Sequence, residues 1–377
     1  MKILSRLICC IIAIGFIQCE KKTTVEKAAI ADNQVTYAQG LAIYKYDGYS
    51  VVEITNPWPN AKNNYTYVLQ KTAGSVPDSL KKHPIITVPI KSIIVTSTTH
   101  IPSLEMLGVE NTLRGFPGLS YISSEKVRAR IDAKKVREVG SVQNLNTEVV
   151  IDIAPDVIVG FGIDNNNKTL DNLQKSGLKV MINGDWHEQT PLGKAEWIKF
   201  FGALYDLDAK ASKIFDDIES DYKNSLELVD DIVTKPTVMA GAIYQGQWYL
   251  PTGNSWGALL IKQAGGDYLW SGTAGSGSLS LPFESVLEKA HAAHIWIGPA
   301  QFTSLREMAA DNPHYKEFLS YQNRKVYSFS TKKGKTGGVI YYELAPNRPD
   351  LVLKDMIKIL HPEVLPEHKL YFFEQLK

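Results

Sequence analysis

The chain has 377 residues, a length that suits two lobes or two domains. With 44% hydrophobic and 21% charged residues, it has the composition of a globular protein. Its formal net charge is +1 and no long basic run occurs, so it lacks the concentrated positive patch that nucleic-acid binding requires. We therefore expect no nucleic-acid partner.

The first residues have the pattern of a secretory signal. Lys2 and Arg6 precede the apolar run 7–17, which is too short to remain as a membrane span, and a polar stretch follows. Residues 20–34 are polar and predict a flexible tether. All three cysteines lie at or before Cys19, which excludes a disulfide framework or a cysteine metal site from the folded body.

The end of this signal resembles a bacterial lipoprotein site, in which Cys19 becomes the lipidated first residue. That resemblance implies a periplasmic protein anchored to a membrane. Residues 16–18 depart from the usual pattern, which has a leucine at the third place before the cysteine and a small residue directly before it. Plain export with cleavage near Gly15 is the alternative.

Residues 35–90 predict a β-rich segment. Short runs of alternating residues are interrupted by Asp-Gly, Asn-Pro and Pro, a pattern typical of antiparallel strands. From Ser92 onward, buried strands alternate with short helices, which predicts an α/β lobe. Strands are expected at 92–97, 156–162 and 178–184, with helices at 101–108, 147–153 and 168–177.

A helical section follows, beginning at Thr190-Pro191, a typical N-cap and first-turn pair. The sequence predicts Asp208 as a second N-cap, and apolar residues at helical spacing then continue to about Val233. That predicts a helix of ~25 residues and ~37 Å, long enough to connect two lobes.

After Pro236 the α/β pattern returns. We expect a hairpin over 237–251, helices at 255–266, 282–293, 304–320 and 348–360, strands at 294–298 and 325–330, and flexible loops at 271–280 and 334–338. The predicted fold is α/β, with two Rossmann-like lobes joined by one long α-helix and an extra β-rich N-terminal segment. The predicted division is signal 1–19, tether 20–34, N-terminal lobe 35–190, helical connector 191–234 and C-terminal lobe 235–377.

Two glutamates occupy equivalent positions in the two predicted lobes. Glu148 and Glu284 each begin a short helix that leads into an apolar strand ending in glycine. A carboxylate in a first helical turn is stabilised by the helix dipole by roughly 0.3–1 kcal/mol, and this alone explains either residue. The repeated arrangement favours a paired role.

These motifs resemble those of the substrate-binding proteins of bacterial ABC importers for iron complexes and cobalamin, in which one long helix joins two α/β lobes. The resemblance covers about residues 90–360, leaving the β-rich segment and the tail after His361 unexplained. It is carried by the predicted connecting helix and by the motifs at 103–108, 146–160, 252–270 and 283–298.

The resemblance implies a non-enzymatic monomer that binds a ferric siderophore, haem or corrinoid between its lobes. No resident cofactor is expected, because the metal complex is the cargo. The implied partners are an ABC permease dimer with its ATPase, and the implied permease-docking residues are Glu148 and Glu284.

Open α/β sheets bind ligands at the carboxyl ends of their strands, and large aromatics there suit a flat, bulky chelate. The loops after the predicted strands therefore supply the candidate ligand-binding residues. These are Thr98, Thr99, His100, Phe161, Gly162, Trp186, His187, Tyr244, Trp248, Trp256, Gln301 and Phe302.

Two other functions remain open. Residues 253–257 fit the G-x-S-x-G motif of a serine hydrolase with Ser255 as nucleophile, although no oxyanion segment of the His-Gly-Gly type occurs upstream. A permease-independent scavenger of metal chelates is the other alternative. His291 and His294 are close in sequence, but without a third ligand at fixed spacing they do not predict a metal site.

Overall fold

A four-stranded sheet begins the part of the chain that the structure describes. The computed structural model describes residues 31–162, 164–165 and 167–377, so the predicted signal, Cys19 and residues 20–30 lie outside the described residues. Strands β1 (Leu41–Tyr46), β2 (Tyr49–Ile54) and β3 (Tyr65–Lys71) pair antiparallel.

The fourth strand corrects the expectation that the whole segment is antiparallel. Strand β4 (Ile85–Val88) pairs with β3 in parallel. A parallel partner requires a crossover of roughly a dozen residues, and residues 72–84 supply that crossover.

The residues before β1 are held by two buried carboxylates of the connector region. Glu196 accepts hydrogen bonds from the backbone N–H groups of residues 36–38, at 2.6–2.9 Å. Glu188 accepts from those of Gln39 and Gly40, at 2.9 and 2.8 Å. Since hydrogen bonds to charged groups are worth about 1.5–3 kcal/mol each, the N-terminal segment is fixed to the rest of the fold.

The N-terminal lobe contains a five-stranded parallel sheet in the order β11-β10-β5-β6-β7, as the alternation of strands and helices predicted. Parallel strands need helical crossovers, so their carboxyl ends share one edge of the sheet. The elements are β5 (Ile93–Val95), α1 (His100–Leu107), β6 (Leu113–Phe116), α2 (Glu125–Asp132), β7 (Arg137–Glu138), β8 (Gly140–Ser141), β9 (Asn144–Leu145), α3 (Thr147–Ile153), β10 (Val157–Phe161), α4 (Lys168–Lys175) and β11 (Val180–Asn183).

Three helices connect the lobes, namely α5 (Pro191–Glu196), α6 (Ile198–Leu204) and α7 (Asp208–Glu227). Thr190 caps α5 by accepting a hydrogen bond from the N–H of Gly193, as its position before proline predicts. Helix α7 buries one stripe of side chains and packs against α6 on one side and the last helix of the chain on the other. It therefore joins the two lobes.

Helix α7 is shorter than predicted, with 20 residues, or roughly 30 Å. Its last turn holds Glu227 and no basic residue, and Asp230 and Asp231 follow. Acidic side chains are unfavourable at the negative end of a helix, and aspartate is a weak helix former, which explains the early end.

The C-terminal lobe contains a five-stranded sheet in the order β15-β12-β17-β18-β19, parallel except for β19. The hairpin predicted over 237–251 forms only from Ala242 to Pro251, because Thr237–Ala240 is a strand of the five-stranded sheet. A third strand, Ser278–Leu281, joins this hairpin where a flexible loop was expected, because its alternating Ser and Leu residues pair with the strand Gln247–Pro251. The elements are β12 (Thr237–Ala240), β13 (Ala242–Tyr244), β14 (Gln247–Pro251), α8 (Trp256–Gln263), β15 (Asp267–Tyr268), β16 (Ser278–Leu281), α9 (Phe283–Ala290), β17 (Ile295–Ile297), α10 (Leu305–Asp311), α11 (Leu319–Gln322), β18 (Val326–Ser328), α12 (Ile340–Leu344), α13 (Pro349–Leu360) and β19 (Glu374–Gln375).

One apolar core extends from Val35 to Leu376 through both lobes and the connector. Residues 32–377 therefore form one compact unit, and the sequence-based limits of the lobes at 190 and 234 stay a proposal. None of the helices in the described ranges has the length and hydrophobicity of a membrane span.

Candidate functional site

The two lobes meet at the edge where the strands of the N-terminal sheet end. Thr98 follows β5, Phe161 ends β10, and Trp186 follows β11. Opposite them lie the start of α8, the turn before β16 and the segment 338–342. Two cavities form between these surfaces, and each contains residues of both lobes.

The larger cavity, which we call the tryptophan cavity, has a volume of about 450 Å³. It brings together Trp186, His187 and Trp256, three of the predicted ligand-binding residues. The other lining residues are Pro59, Glu188, Gln189, Lys194, Pro251, Ser255, Gly257, Ser276, Gly277 and Ser278. Through Pro59, the N-terminal segment contributes to this cavity.

The backbone of the neighbouring strand fixes the Trp186 ring. Its Nε1 donates a hydrogen bond to the carbonyl oxygen of Gly162 at 2.9 Å, and its ring centroid lies 6.0 Å from that of Phe161. Trp256 is half-buried, with its ring 6.0 Å from Tyr341. Both indoles therefore have defined positions and still line open space.

The smaller cavity, which we call the tyrosine cavity, has a volume of about 250 Å³. It contains the predicted residues Thr98 and Phe161, and on the opposite lobe Tyr342, whose hydroxyl accepts a hydrogen bond from Nε2 of the predicted Gln301 at 3.2 Å. Tyr121 and Tyr342 are 69% and 49% exposed. The remaining lining residues are Thr96, Ser97, Phe116, Pro117, Val142, Gly338 and Val339.

Tyr121 and Tyr342 were not among the ligand-binding residues predicted from the sequence. Tyr121 follows β6, so the rule that ligands bind after parallel strands applies to it and would have identified it. Tyr342 lies in α12 and gives no comparable signal in the sequence.

Thr99 and His100 line neither cavity. The Thr99 hydroxyl donates to Oδ2 of Asp185 at 2.8 Å, and the Thr99 carbonyl accepts from Nδ2 of Asn347 at 2.9 Å. His100 is fully buried, 5.5 Å from the ring of Phe201, and burial lowers its pKa. Thr99 therefore connects Asp185 to Asn347, and His100 belongs to the core.

Lys194 is another cavity residue that sequence reasoning missed. It is only 7% exposed, and its Nζ donates to the carbonyl oxygens of Trp186 at 2.7 Å and Asp185 at 3.2 Å. Burial lowers its pKa to about 8, although the nearby charges of Asp185 and Glu188 act in the opposite direction. Its Nζ also lies 5.8 Å from the centroid of Trp256.

The remaining aromatic candidates require corrections. Trp248 is fully buried, donates through Nε1 to the carbonyl oxygen of Ala240, and packs on Trp296 at 5.3 Å, so it belongs to the core. It faces inward because β14 alternates, with Trp248 and Leu250 buried and Tyr249 exposed. Phe302 packs against Tyr315, while Tyr244 is 63% exposed beside the hairpin turn and contributes to neither cavity.

Glu148 and Glu284 lie where the sequence placed them, in the first turns of α3 and α9. Both are exposed, and neither has a salt bridge or side-chain hydrogen bond within the ranges that the structure describes. Pro282 precedes α9 and supplies no side-chain cap. The two carboxylates therefore remain available to a partner.

Ser255 has a structural role at the start of α8. Its side chain is nearly buried, donates to the carbonyl oxygen of Thr252 at 2.7 Å and accepts from the N–H of Ala258 at 3.2 Å. Neither partner is a general base, which the hydrolase alternative requires. Within the described ranges, no group of three histidine, cysteine or acidic residues could hold a metal ion.

A family model described as periplasmic binding protein matches residues 93–331. An uncharacterized lipoprotein of Methanocaldococcus jannaschii is 28% identical over 360 residues, which cover 89% of this chain and 84% of that protein. A second uncharacterized protein of this organism is 24% identical and covers 77% of this chain and 88% of its own length.

Solved structures show the same fold at low sequence identity. A possible iron-binding periplasmic solute-binding protein from Staphylococcus epidermidis matches with a TM-score of 0.56 and 18% identity, over 72% of this chain and 98% of that one. A periplasmic heme binding protein from Pseudomonas aeruginosa matches with a TM-score of 0.56 and 14% identity, over 76% and 98%. CeuE from Helicobacter pylori, with Ni(II) bound, also has a TM-score of 0.56, with 19% identity, over 75% and 88%.

Proposed function

The chain belongs to the periplasmic binding protein family, and from this premise we propose that it carries a metal complex between its lobes to an ABC permease. The proposed ligand is a ferric siderophore, haem or a corrinoid. Members of this family are solute-binding proteins, so the chain has no catalytic step of its own in this proposal.

The observation that supports the proposal is the tryptophan cavity between the lobes. Two indoles from opposite lobes line about 450 Å³ of open space, and aromatic walls of this kind suit flat or bulky ligands. The names of the structural relatives from Staphylococcus epidermidis and Pseudomonas aeruginosa, which mention iron and heme, agree with this ligand class.

The proposed ligand-binding set follows from the geometry. Trp186, His187 and Trp256 would contact the ligand in the tryptophan cavity, and Thr98, Phe161 and Gln301 would do so in or beside the tyrosine cavity. Gly162, Thr99 and His100 would act indirectly by positioning Trp186 and the strand ends.

The test is to purify the protein from its native host without denaturation and to record absorption and mass spectra of whatever co-purifies. We expect one metal complex in about equimolar amount. A double variant, Trp186→Ala with Trp256→Ala, is the control and should be purified without it. Co-purification of the same molecule in equal amount with that variant would contradict the proposal.

We also propose that Glu148 and Glu284 dock the two lobes to the permease and that the protein acts as a monomer. Exposed carboxylates that have no salt bridge or side-chain hydrogen bond with any described residue can pair with basic residues of a membrane protein, and such contacts control orientation and the rate of encounter.

Membrane anchoring at Cys19 is a further part of the proposal. The relative from Methanocaldococcus jannaschii is named a lipoprotein, and two acyl chains on Cys19 would hold the exported protein at a membrane. We expect Cys19→Ala to move the protein to the soluble fraction after cell lysis, with Cys9→Ala as the control. Unchanged membrane association of the Cys19 variant would contradict this anchor.

The alternatives have less support. In the serine hydrolase hypothesis, Ser255 would need a general base, and its two hydrogen-bond partners belong to the backbone. A scavenger without a permease would leave the two exposed glutamates with only their effect on the helix ends, and neighbouring permease and ATPase genes would count against it.

A further inference from the structure

We propose that Lys194 makes the tryptophan cavity selective for a ligand that carries an oxyanion, such as a carboxylate, on its flat or bulky body. This inference rests on the proposed function and defines the substrate class more closely. The oxyanion would accept a hydrogen bond from the ammonium group while the body of the ligand contacts the indoles.

Lys194 has hydrogen-bonding capacity that the described residues do not use. An ammonium group has three N–H donors, and two of them bond to the carbonyl oxygens of Asp185 and Trp186. Within the described ranges, no third acceptor and no ion pair is found for this group, which lines the cavity with only 7% of its surface exposed. A buried cation without a direct ion pair is costly, which is explained if the ligand brings a negative group into contact with it.

Neither of the two nearby carboxylates bonds directly to the ammonium group, whose hydrogen bonds in the described residues go to backbone carbonyls. Both oxygens of Glu188 accept hydrogen bonds, from the N–H groups of Gln39 and Gly40 and from Nε1 of Trp197. Asp185 offers Lys194 its backbone carbonyl, while Oδ2 of its carboxylate accepts from the Thr99 hydroxyl and Oδ1 has no hydrogen-bond partner in the described part of the chain. These charges stabilise the ammonium form at longer range, but among the described residues neither carboxylate accepts a hydrogen bond from its third N–H.

The wall of the tryptophan cavity also carries polar side chains. Ser276, Ser278, Gln189 and His187 also line it, and each has a side-chain group that can donate a hydrogen bond. Glu188 is the acidic residue of this lining, and its oxygens are already in use. An oxyanion therefore finds donors from both lobes, whereas a second cation would meet Lys194.

The charge of Lys194 lies close to the Trp256 side of the cavity wall. Nζ of Lys194 lies 5.8 Å from the centroid of Trp256. A conjugated body against Trp256 would therefore hold a substituent within reach of the ammonium group. This geometry matches a ligand with an acidic group at the edge of a large ring system.

The experiment compares three pairs of probes, and in each pair one member carries more negative charge than the other. They are haem and its dimethyl ester, the ferric complexes of a tricatecholate and a trihydroxamate, and a cobalamin monocarboxylic acid and cyanocobalamin. Affinities are measured by quenching of tryptophan fluorescence at pH 7 and constant ionic strength. In the pair that binds, we expect the more anionic member to bind about tenfold to a hundredfold more tightly, because one hydrogen bond to a charged group is worth that much.

The variants assign this preference to one side chain. Lys194→Met keeps the length and removes the charge, so it should remove the preference, whereas Lys194→Arg should keep it. Lys289→Met is the control, because Lys289 lies 5.4 Å from the Trp270 ring at an exposed position outside both cavities.

Two outcomes separate this inference from the proposed function. Equal binding of both members of a pair, unchanged in Lys194→Met, overturns the oxyanion preference and leaves the proposed function intact. Binding of no member of any pair overturns both.

Discussion

Trp186 and Trp256 are expected to contribute binding energy with little effect on stability. Each lines the tryptophan cavity and is half-buried. Replacing either by alanine should weaken ligand binding by about 1–3 kcal/mol, as is typical when an aromatic contact is removed from a desolvated site. Titration of the co-purified metal complex against each variant measures the loss.

Trp248→Ala is the matched control for these two substitutions. Trp248 is fully buried and packs on Trp296, Tyr315 and Phe318. Its removal should reduce the free energy of unfolding by about 3–5 kcal/mol. Normal ligand affinity in both cavity variants, or a loss of stability as large as that of Trp248→Ala, would place the site elsewhere.

Lys194 gives the stability of the unliganded protein a dependence on pH. Its pKa is about 8 in the folded protein and about 10.4 in an unfolded chain. Between these values the unfolded state binds more protons, so the contribution of Lys194 to stability rises with pH across this range. Below pH 8 both states are protonated, and the folded state carries the full cost of the buried charge.

We therefore expect the stability of the wild-type protein relative to Lys194→Met to increase from pH 8 to pH 10. The total change should be about 1–3 kcal/mol, since one pKa unit corresponds to 1.36 kcal/mol. Urea unfolding at intervals of half a pH unit measures the difference. A difference that stays constant over this range would mean that Lys194 titrates normally in the folded protein.

The sequence predicted some site residues and missed others for physical reasons. Trp186 directly follows a buried strand, and the strand-end rule is sufficient to place it. Trp248 lies inside a strand, where the exposure of a side chain depends on whether it points to the core face or the solvent face of the sheet. A one-residue shift in register would exchange the two faces. Lys194 lies in the connector, outside the loops that the rule considers, so no local pattern indicates it.

At the scale of elements, the positions of the long helices and strands could be predicted, but some ends and pairings could not. The helices around Glu148 and Glu284 and the long helix α7 form as expected. The end of α7 depends on charges near its last turn, the parallel pairing of β4 depends on a crossover, and β16 depends on a partner strand distant in sequence. These are effects of tertiary structure that periodicity does not contain.

Helix α12 and the turn before it are hydrogen-bonded to the N-terminal lobe beside the tyrosine cavity. Both oxygens of Glu343 accept hydrogen bonds from the backbone N–H groups of Ser123 and Ser124, at 2.6 and 2.9 Å. The Thr336 hydroxyl donates to the carbonyl oxygen of Ser120, and Gly338 contacts the Tyr121 backbone so closely that a side chain would clash. The turn is therefore packed between the lobes, where a mobile loop was expected.

We predict that Glu343→Ala exposes the amides of Ser123 and Ser124. Loss of a charged acceptor should speed their hydrogen exchange by about tenfold to a hundredfold, since each bond is worth about 1.5–3 kcal/mol. The measurement belongs at pH 8, because burial raises the pKa of Glu343 to about 7 and the ionised carboxylate is needed to accept both bonds. Glu288→Ala, at an exposed position on α9, is the control. Unchanged protection of these amides in Glu343→Ala would show that the Glu343 hydrogen bonds do not hold helix α12 against the N-terminal lobe.

At the scale of the whole molecule, the connection between the lobes limits how they can move. Helix α7 packs on elements of both lobes, and a rigid helix resists bending. Lobe closure around a ligand should therefore be small, and release of the ligand would depend on a partner that separates the lobes. One exposed carboxylate on each lobe gives such a partner two points of attachment.

The last prediction distinguishes docking from helix-end stabilisation. If Glu148 and Glu284 act only on the helix dipole, replacing either by glutamine should lower the free energy of unfolding by roughly a few tenths of a kcal/mol and leave transport unchanged. If they dock the lobes to a permease, ligand affinity should stay the same while permease-dependent uptake falls, most strongly in the double variant. Lysine should be worse than glutamine, because it brings like charges together at the docking surface.

Glu125→Lys is the matched control, because Glu125 is also exposed in the first turn of a helix, α2. It should lose the same dipole interaction and keep normal uptake. Raising the salt concentration should weaken wild-type docking as well, since contacts between solvent-exposed charges are screened. Normal uptake by the Glu148→Lys, Glu284→Lys double variant would refute the docking role, because two reversed charges at the points of attachment have to oppose the basic residues that they are proposed to meet.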